Sequence, residues 1–80
     1  MNQININIYV NGETITCPHG LTLPQLLEHQ SFNPKLVAVE YNGEIVHRQY
    51  WEQTLIHEAD RLEVVTIVVV AVTIAVVTKL

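Results

Sequence analysis

Four histidines, one cysteine and a scatter of carboxylates are the side chains of this sequence that could do chemistry. His19, His29, His47 and His57 are metal ligands by type. None pairs at the i, i+4 spacing that sets two imidazoles on one helical face, and none stands beside a second ligand at zinc-site spacing. They read as surface or loop histidines rather than as a metal site. Cys17 sits beside Pro18 in a predicted strand. No neighbour supplies the base or the positive charge that makes a reactive thiolate, so it reads as a small, half-buried side chain. Glu40, Glu44, Glu58, Asp60 and Glu63 offer carboxylates for acid–base work. With no cleft to raise a pKa, they read as a solvated rim. Tyr50 and Trp51 are either plugs for the core, the preferred reading, or an aromatic contact for a partner. Gly12, Gly20 and Gly43 are too scattered for a phosphate loop. A short chain with no convergent polar cluster points away from an enzyme and toward a carrier or docking module.

Those side chains hang on a chain of eighty residues, enough for one domain of modest stability. Charged residues make up 15%, against roughly 25% in ordinary soluble domains. The formal net charge is −4, with the acids all in the body and Lys79 the sole base of the tail. Nucleic-acid binding needs a basic face, so it is not expected. An acidic body favours a partner with a basic docking surface. A lone cysteine fits a reducing cytosol, and MNQININIYV lacks the basic-then-apolar pattern of a secretory signal. A cytoplasmic location is expected.

The elements follow from periodicity. Gln3 to Val10 alternates, with Ile4, Ile6, Ile8 and Val10 on one face, which predicts a strand with one buried side. Asn11-Gly12 is the favoured pair for a tight hairpin turn, leading into Glu13–Cys17. Thr22 and Gln25 make a capping box, with Leu21 and Leu26 as its staple and Pro24 tolerated in the first turn. A helix is predicted over 23–30, its inner side formed by Leu23, Leu26, Leu27 and Gln30. Leu36–Tyr41 reads as a buried strand, Asn42-Gly43 as a second turn and Glu44–Val46 as a short strand. Residues 47–59 read as irregular, pinned to the core by Tyr50, Trp51, Leu55 and Ile56. Glu58-Ala59-Asp60 reads as a turn before a last strand, Arg61–Val68, with Leu62, Val64 and Thr66 on one face. A helix crossing from a hairpin to later strands covers one face of a mixed sheet, an α+β fold of the β-grasp, ubiquitin-like kind. No internal repeat and no linker are expected.

Val10–Glu13 (VNGE), Gly20–Glu28 (GLTLPQLLE), Val37–Val46 (VAVEYNGEIV) with Arg48 and Trp51 after it, and Ala59–Val68 (ADRLEVVTIV) together resemble the bacterial sulfur carrier protein ThiS. The resemblance runs from about residue 6 to 68, in register. It implies a ubiquitin-like carrier of sulfur for the thiazole ring of thiamin, one that ends in Gly-Gly on a flexible tail and contributes no catalytic side chain. Its implied partners are a ThiF-type enzyme that adenylates the terminal carboxylate with ATP, a cysteine desulfurase relay, and thiazole synthase. No bound cofactor is implied, since the ATP is used by the activating partner. Glycine suits such an end because a backbone without Cβ threads a narrow channel at any φ.

The tail departs from that pattern. Alignment of the last strand sets Val69 and Val70 at the Gly-Gly positions, and neither is glycine; Leu80 lies ten residues beyond Val70. Valine adds β-branching where the chain should be slender. The expected division is a β-grasp domain over 1–68 and an atypical apolar extension over 69–80, with carrier activity impaired. The alternative is a ubiquitin-like interaction module without carrier function. One account of the departure is a reading-frame slip: GGT GGC GGT read one base late gives GTG GCG GTG, the Val-Ala-Val found at Val70–Val72. Coding DNA with no glycine triplet in the neighbouring frame would dispose of it. A membrane span needs about twenty apolar residues, and the run Val64–Val77 offers fourteen, broken by Thr66 and Thr73. A longer strand or loose extension is preferred, and self-association through an uncovered tail is expected.

Overall fold

The computed structural model describes residues 4–70 and 73–79. Six strands and one helix are seen among them: β1 (Asn5–Val10), β2 (Glu13–Pro18), α1 (Leu23–His29), β3 (Val37–Tyr41), β4 (Glu44–Ile45), β5 (Arg61–Val70) and β6 (Thr73–Lys79). Two 3₁₀ helices, Pro34–Leu36 and Arg48–Gln53, fill the connections. The sheet order is β2-β1-β5-β3-β4, with β6 also paired to β5. β1 and β5 run parallel and the other pairs antiparallel. This is the expected β-grasp arrangement, with α1 on one face.

The turns form where Asn-Gly occurs. Asn11 and Gly12 have φ of 51° and 83°, Asn42 and Gly43 of 49° and 89°, the left-handed pair a type I′ hairpin needs. α1 opens on the capping box: the Thr22 hydroxyl accepts from the Gln25 N–H while the Gln25 side chain accepts from the Thr22 N–H. It closes on Ser31, with φ 65°. The Ser31 N–H bonds Glu28 O and the Phe32 N–H bonds Leu27 O, the two bonds of a Schellman motif.

The core lies between α1 and the sheet: Ile6, Ile8 and Val10 from β1, Leu23, Leu26 and Leu27 from α1, Val37 and Val39 from β3, Leu62 and Val64 from β5. Leu26 is fully buried, and truncating it to Ala should cost about 2–5 kcal/mol. Several expectations about burial need correction, beginning with Leu36, which ends the 3₁₀ helix Pro34–Leu36 instead of opening the buried strand and is 51% exposed. Ile4 is 68% exposed, one residue before β1 begins at Asn5, although its carbonyl still accepts from the His19 N–H at 2.8 Å; Gln3 lies outside the described residues. Gln30 is only half-buried, being the residue that caps α1. Of the four residues expected to pin 47–59, Trp51 and Ile56 are buried while Tyr50 and Leu55 are half-exposed. Arg48–Gln53 is helical, so one side faces water. Thr54–Ile56 then pairs along Leu21–Leu23, with Leu23 N–H on Thr54 O and Ile56 N–H on Leu21 O, and alternation turns Leu55 outward. Cys17 is 1% exposed rather than half-buried, since its β2 position opposite Ile6 faces the core.

Candidate functional site

β5 carries the segment on which the resemblance rests its chemistry, and three side chains set where that strand runs. Asn11 lies past the end of β1, where a parallel ladder would stop. Its amide continues the pairing: Val64 N–H donates to Asn11 Oδ1 at 2.8 Å and Asn11 Nδ2 donates to Val64 O at 3.3 Å. Asn42 does the equivalent on the β3 side, accepting from Arg61 N–H at 2.8 Å. Between them Asp60 sits 8% exposed. Its carboxylate accepts from the Tyr41 hydroxyl, from Asn42 Nδ2 at 3.1 Å and from His57 N–H at 2.7 Å. The expectation that Asp60 belongs to a solvated rim is therefore corrected. It is a buried acceptor that ties the Glu58-Ala59-Asp60 turn to β3, and Ala59 takes φ 68° to make that turn. Burial, then the Asp60 hydrogen bond and charge, push the Tyr41 phenol above its ordinary range.

A second anchor holds the start of β3. The Arg48 guanidinium donates to Pro34 O at 2.5 Å and Val37 O at 2.8 Å and lies 4.6 Å from the centroid of the Trp51 ring. Trp51 Nε1 donates to Val46 O at 2.8 Å. These residues, which stand out in the sequence as an Arg and a Trp after the second turn, brace the start of β3.

The remaining candidates do not converge. Among the described residues no group of three or more His, Cys, Asp or Glu side chains could hold a metal. His57 Nδ1 is 3.9 Å from Asp60, and His29 Nδ1 shares a hydrogen bond with Gln30. Burial, with the charge of Glu58 adding to it, pushes the Cys17 thiol up and away from the thiolate. Glu58 accepts the Asn7 N–H at 3.0 Å.

β5 does not end at Val68. It continues to Val70 and pairs with β6 through Val65↔Lys79, Thr66↔Thr78, Ile67↔Val77, Val68↔Val76, Val69↔Ile74 and Val70↔Thr73, with a register shift between Val68 and Val69. Val65 and Thr66 also pair with Ala38 and Val37 of β3. β6 therefore lies on the β1 side of β5, beyond the end of β1. From Ile67 onward β6 is the sole strand partner of β5 among the described residues. Val69 and Val70 occupy the two rungs next to the reversal. Among the described residues no helix is long and apolar enough to cross a membrane, a statement that leaves strand-built spans aside. Leu80 lies outside the described residues.

A mixed sheet of this order, crossed by one helix and closed by a strand beside both β1 and β3, defines a ubiquitin-like β-grasp protein. The sequence matches the ThiS family over residues 5–69, so the chain belongs to the ThiS family. The crystal structure of the thiamine biosynthesis protein ThiS from Geobacter metallireducens superposes with a TM-score of 0.73 at 26% identity, covering 82% of this chain and 100% of that one. The uncharacterized protein ycf40 of Porphyra purpurea is 36% identical over 64 residues, 80% of this chain and 90% of that protein. Its namesake from Pyropia yezoensis is 39% identical over 64 residues, with the same coverage. β6 falls wholly outside the matched family span.

Proposed function

We propose that this chain is a ThiS-type sulfur-carrier body whose carrying end is out of action. By family, the body would dock on a ThiF-type adenylating enzyme and on thiazole synthase in thiamin biosynthesis, in the cytoplasm, with sulfur arriving from a cysteine desulfurase relay. The ATP belongs to the adenylating partner. There a terminal carboxylate attacks the α-phosphate and pyrophosphate leaves; the outer sulfur of a persulfide then displaces AMP, and a thiol cleaves the resulting acyl disulfide to release the thiocarboxylate. That sequence needs a slender, free chain end. The observation that carries the reading is the pairing of Val69 with Ile74 and of Val70 with Thr73. The positions aligned with Gly-Gly are strand rungs built from β-branched residues, and such residues favour the paired state.

The test is an intact mass after incubation with ATP, the adenylating enzyme and a sulfur source. The full chain should bind that enzyme and gain neither an adenylate nor a sulfur in place of oxygen. A chain carrying Val69→Gly and Val70→Gly and ending at residue 70 should gain both. Sulfur uptake by the unaltered chain would refute the reading. The same observation supports a second reading, a ubiquitin-like interaction module with no carrier role; failure of the glycine-ended chain to be adenylated, with the enzyme active on another carrier, would favour it.

A further inference from the structure

The expectation of no internal repeat fails in the tail. Val65–Val70 reads Val-Thr-Ile-Val-Val-Val and Val72–Val77 reads Val-Thr-Ile-Ala-Val-Val. The two hexapeptides stand seven residues apart and differ at one position. The uniform apolar character of the stretch hides the period. The β5·β6 ladder joins these near-copies antiparallel, so within one chain this hexapeptide already recognises itself.

β6 has a second edge. Among the described residues no strand pairs with it. The common protections of an edge are a proline, a charge in mid-strand, or a covering helix or loop. Thr73–Lys79 has no proline and no charge before Lys79. Its one irregularity is the register shift at Val68/Val69, where Ala75 is the residue of β6 left without a rung. Beyond it, Val76–Lys79 is a regular run.

We propose that this edge takes a second copy of the chain, β6 against β6′, antiparallel about a two-fold axis at Val77. The partner strand then offers Ala75–Lys79, which keeps only the second half of the hexapeptide, Ala75–Val77, within the contact. Antiparallel pairing centred on Val77 sets each Lys79 opposite the other copy's Ala75 and keeps the two ammonium groups apart. Parallel stacking in register would set Lys79 directly against Lys79, a like-charge pair that opposes association. The two-fold contact closes on itself, so it gives dimers and not fibres. One strand edge buries less than the roughly 1,000 Å² of a permanent interface, so the dimer is weak and concentration-dependent.

The inference rests on the β5·β6 hairpin, and its test uses neither ATP nor a partner enzyme, so its failure leaves the carrier reading standing. Light scattering of the full chain over a roughly hundredfold dilution series should show monomer passing to dimer. Val77→Lys puts two like charges at the axis and should raise the dissociation constant at least about tenfold. Trp51, buried in the body, reports by its fluorescence that the variant is folded. Ile45→Lys on β4, the opposite edge of the sheet, should leave association unchanged. Independently, hydrogen exchange of β6 amides in the unaltered chain should slow as concentration rises. Monomer at every concentration, species that grow without limit, a Val77→Lys dimer as tight as the original, loss of association with Ile45→Lys, or β6 exchange indifferent to concentration would each overturn the proposal.

Discussion

The side-chain amide of Asn11 stands opposite Val64 and exchanges hydrogen bonds with both of its backbone groups. A side chain here does the work of a strand residue, carrying the β1·β5 ladder past the point where β1 turns away. Asn11 also holds φ 51° in its turn. Replacing it separates the two roles. Asn11→Gly keeps the backbone conformation and loses the bonds, at an expected cost of about 1–2 kcal/mol. Asn11→Ala loses both and should cost about 2–3 kcal/mol. Denaturant unfolding of the pair checks the order; equal stability with the parent would mean the amide is not part of the ladder.

Ser31 holds the left-handed position of the helix C-terminus, which glycine fills without steric cost. Its side chain is exposed and no hydrogen bond of its hydroxyl is required by the Schellman pair. Ser31→Gly should therefore stabilise the protein, by about 0.5–1 kcal/mol. A lowered midpoint of thermal or denaturant unfolding would contradict this.

High pH should destabilise the protein through Tyr41 and Cys17. Both groups have folded pKa values raised above their ordinary 10.0 and 9.0. A raised acid stays protonated in the folded state, so its contribution is complete below the unfolded pKa and is lost as pH climbs past it. Stability should fall above about pH 9 to 10. Tyr41→Phe removes the larger of the two shifts and should flatten that fall, while lowering stability at neutral pH because Asp60 loses a donor. An unchanged alkaline slope in the variant would contradict the assignment.

Much of this architecture was legible in the residues. The Ile6-Ile8-Val10 alternation, the two Asn-Gly pairs and the Thr22–Gln25 box each act over a few residues, and each forms the element it predicts. Asp60 was not legible. Its burial depends on Tyr41 at the end of β3 and Asn42 in the turn after it, nineteen and eighteen residues away along the chain. Nor was the outward turn of Tyr50, which reads as a core plug alongside the buried Trp51, since a short 3₁₀ helix has a three-residue period that a polar segment does not advertise. The tail was half legible. Its β-branched composition signals strand, but neither glycine nor asparagine stands between Val70 and Thr73 to signal a reversal. The run therefore reads as one extension, and Val69 and Val70 read as bulky carrier positions without their pairing partners.

Cys17 should be silent toward thiol reagents in the native protein. It is buried opposite Ile6, and its thiol is held from ionising. Labelling should occur only on unfolding, at a rate that follows denaturant. Prompt stoichiometric labelling in buffer would show β2 to be open at that position.

The account stands or falls on whether the end of β5 is a paired strand. Through-space proton contacts in the full chain at low concentration read this directly. Backbone contacts between Ile67 and Val77 and between Val70 and Thr73 are predicted, at an intensity independent of dilution. Tail resonances at random-coil positions, with no contact from residues 73–79 to β5, would contradict it.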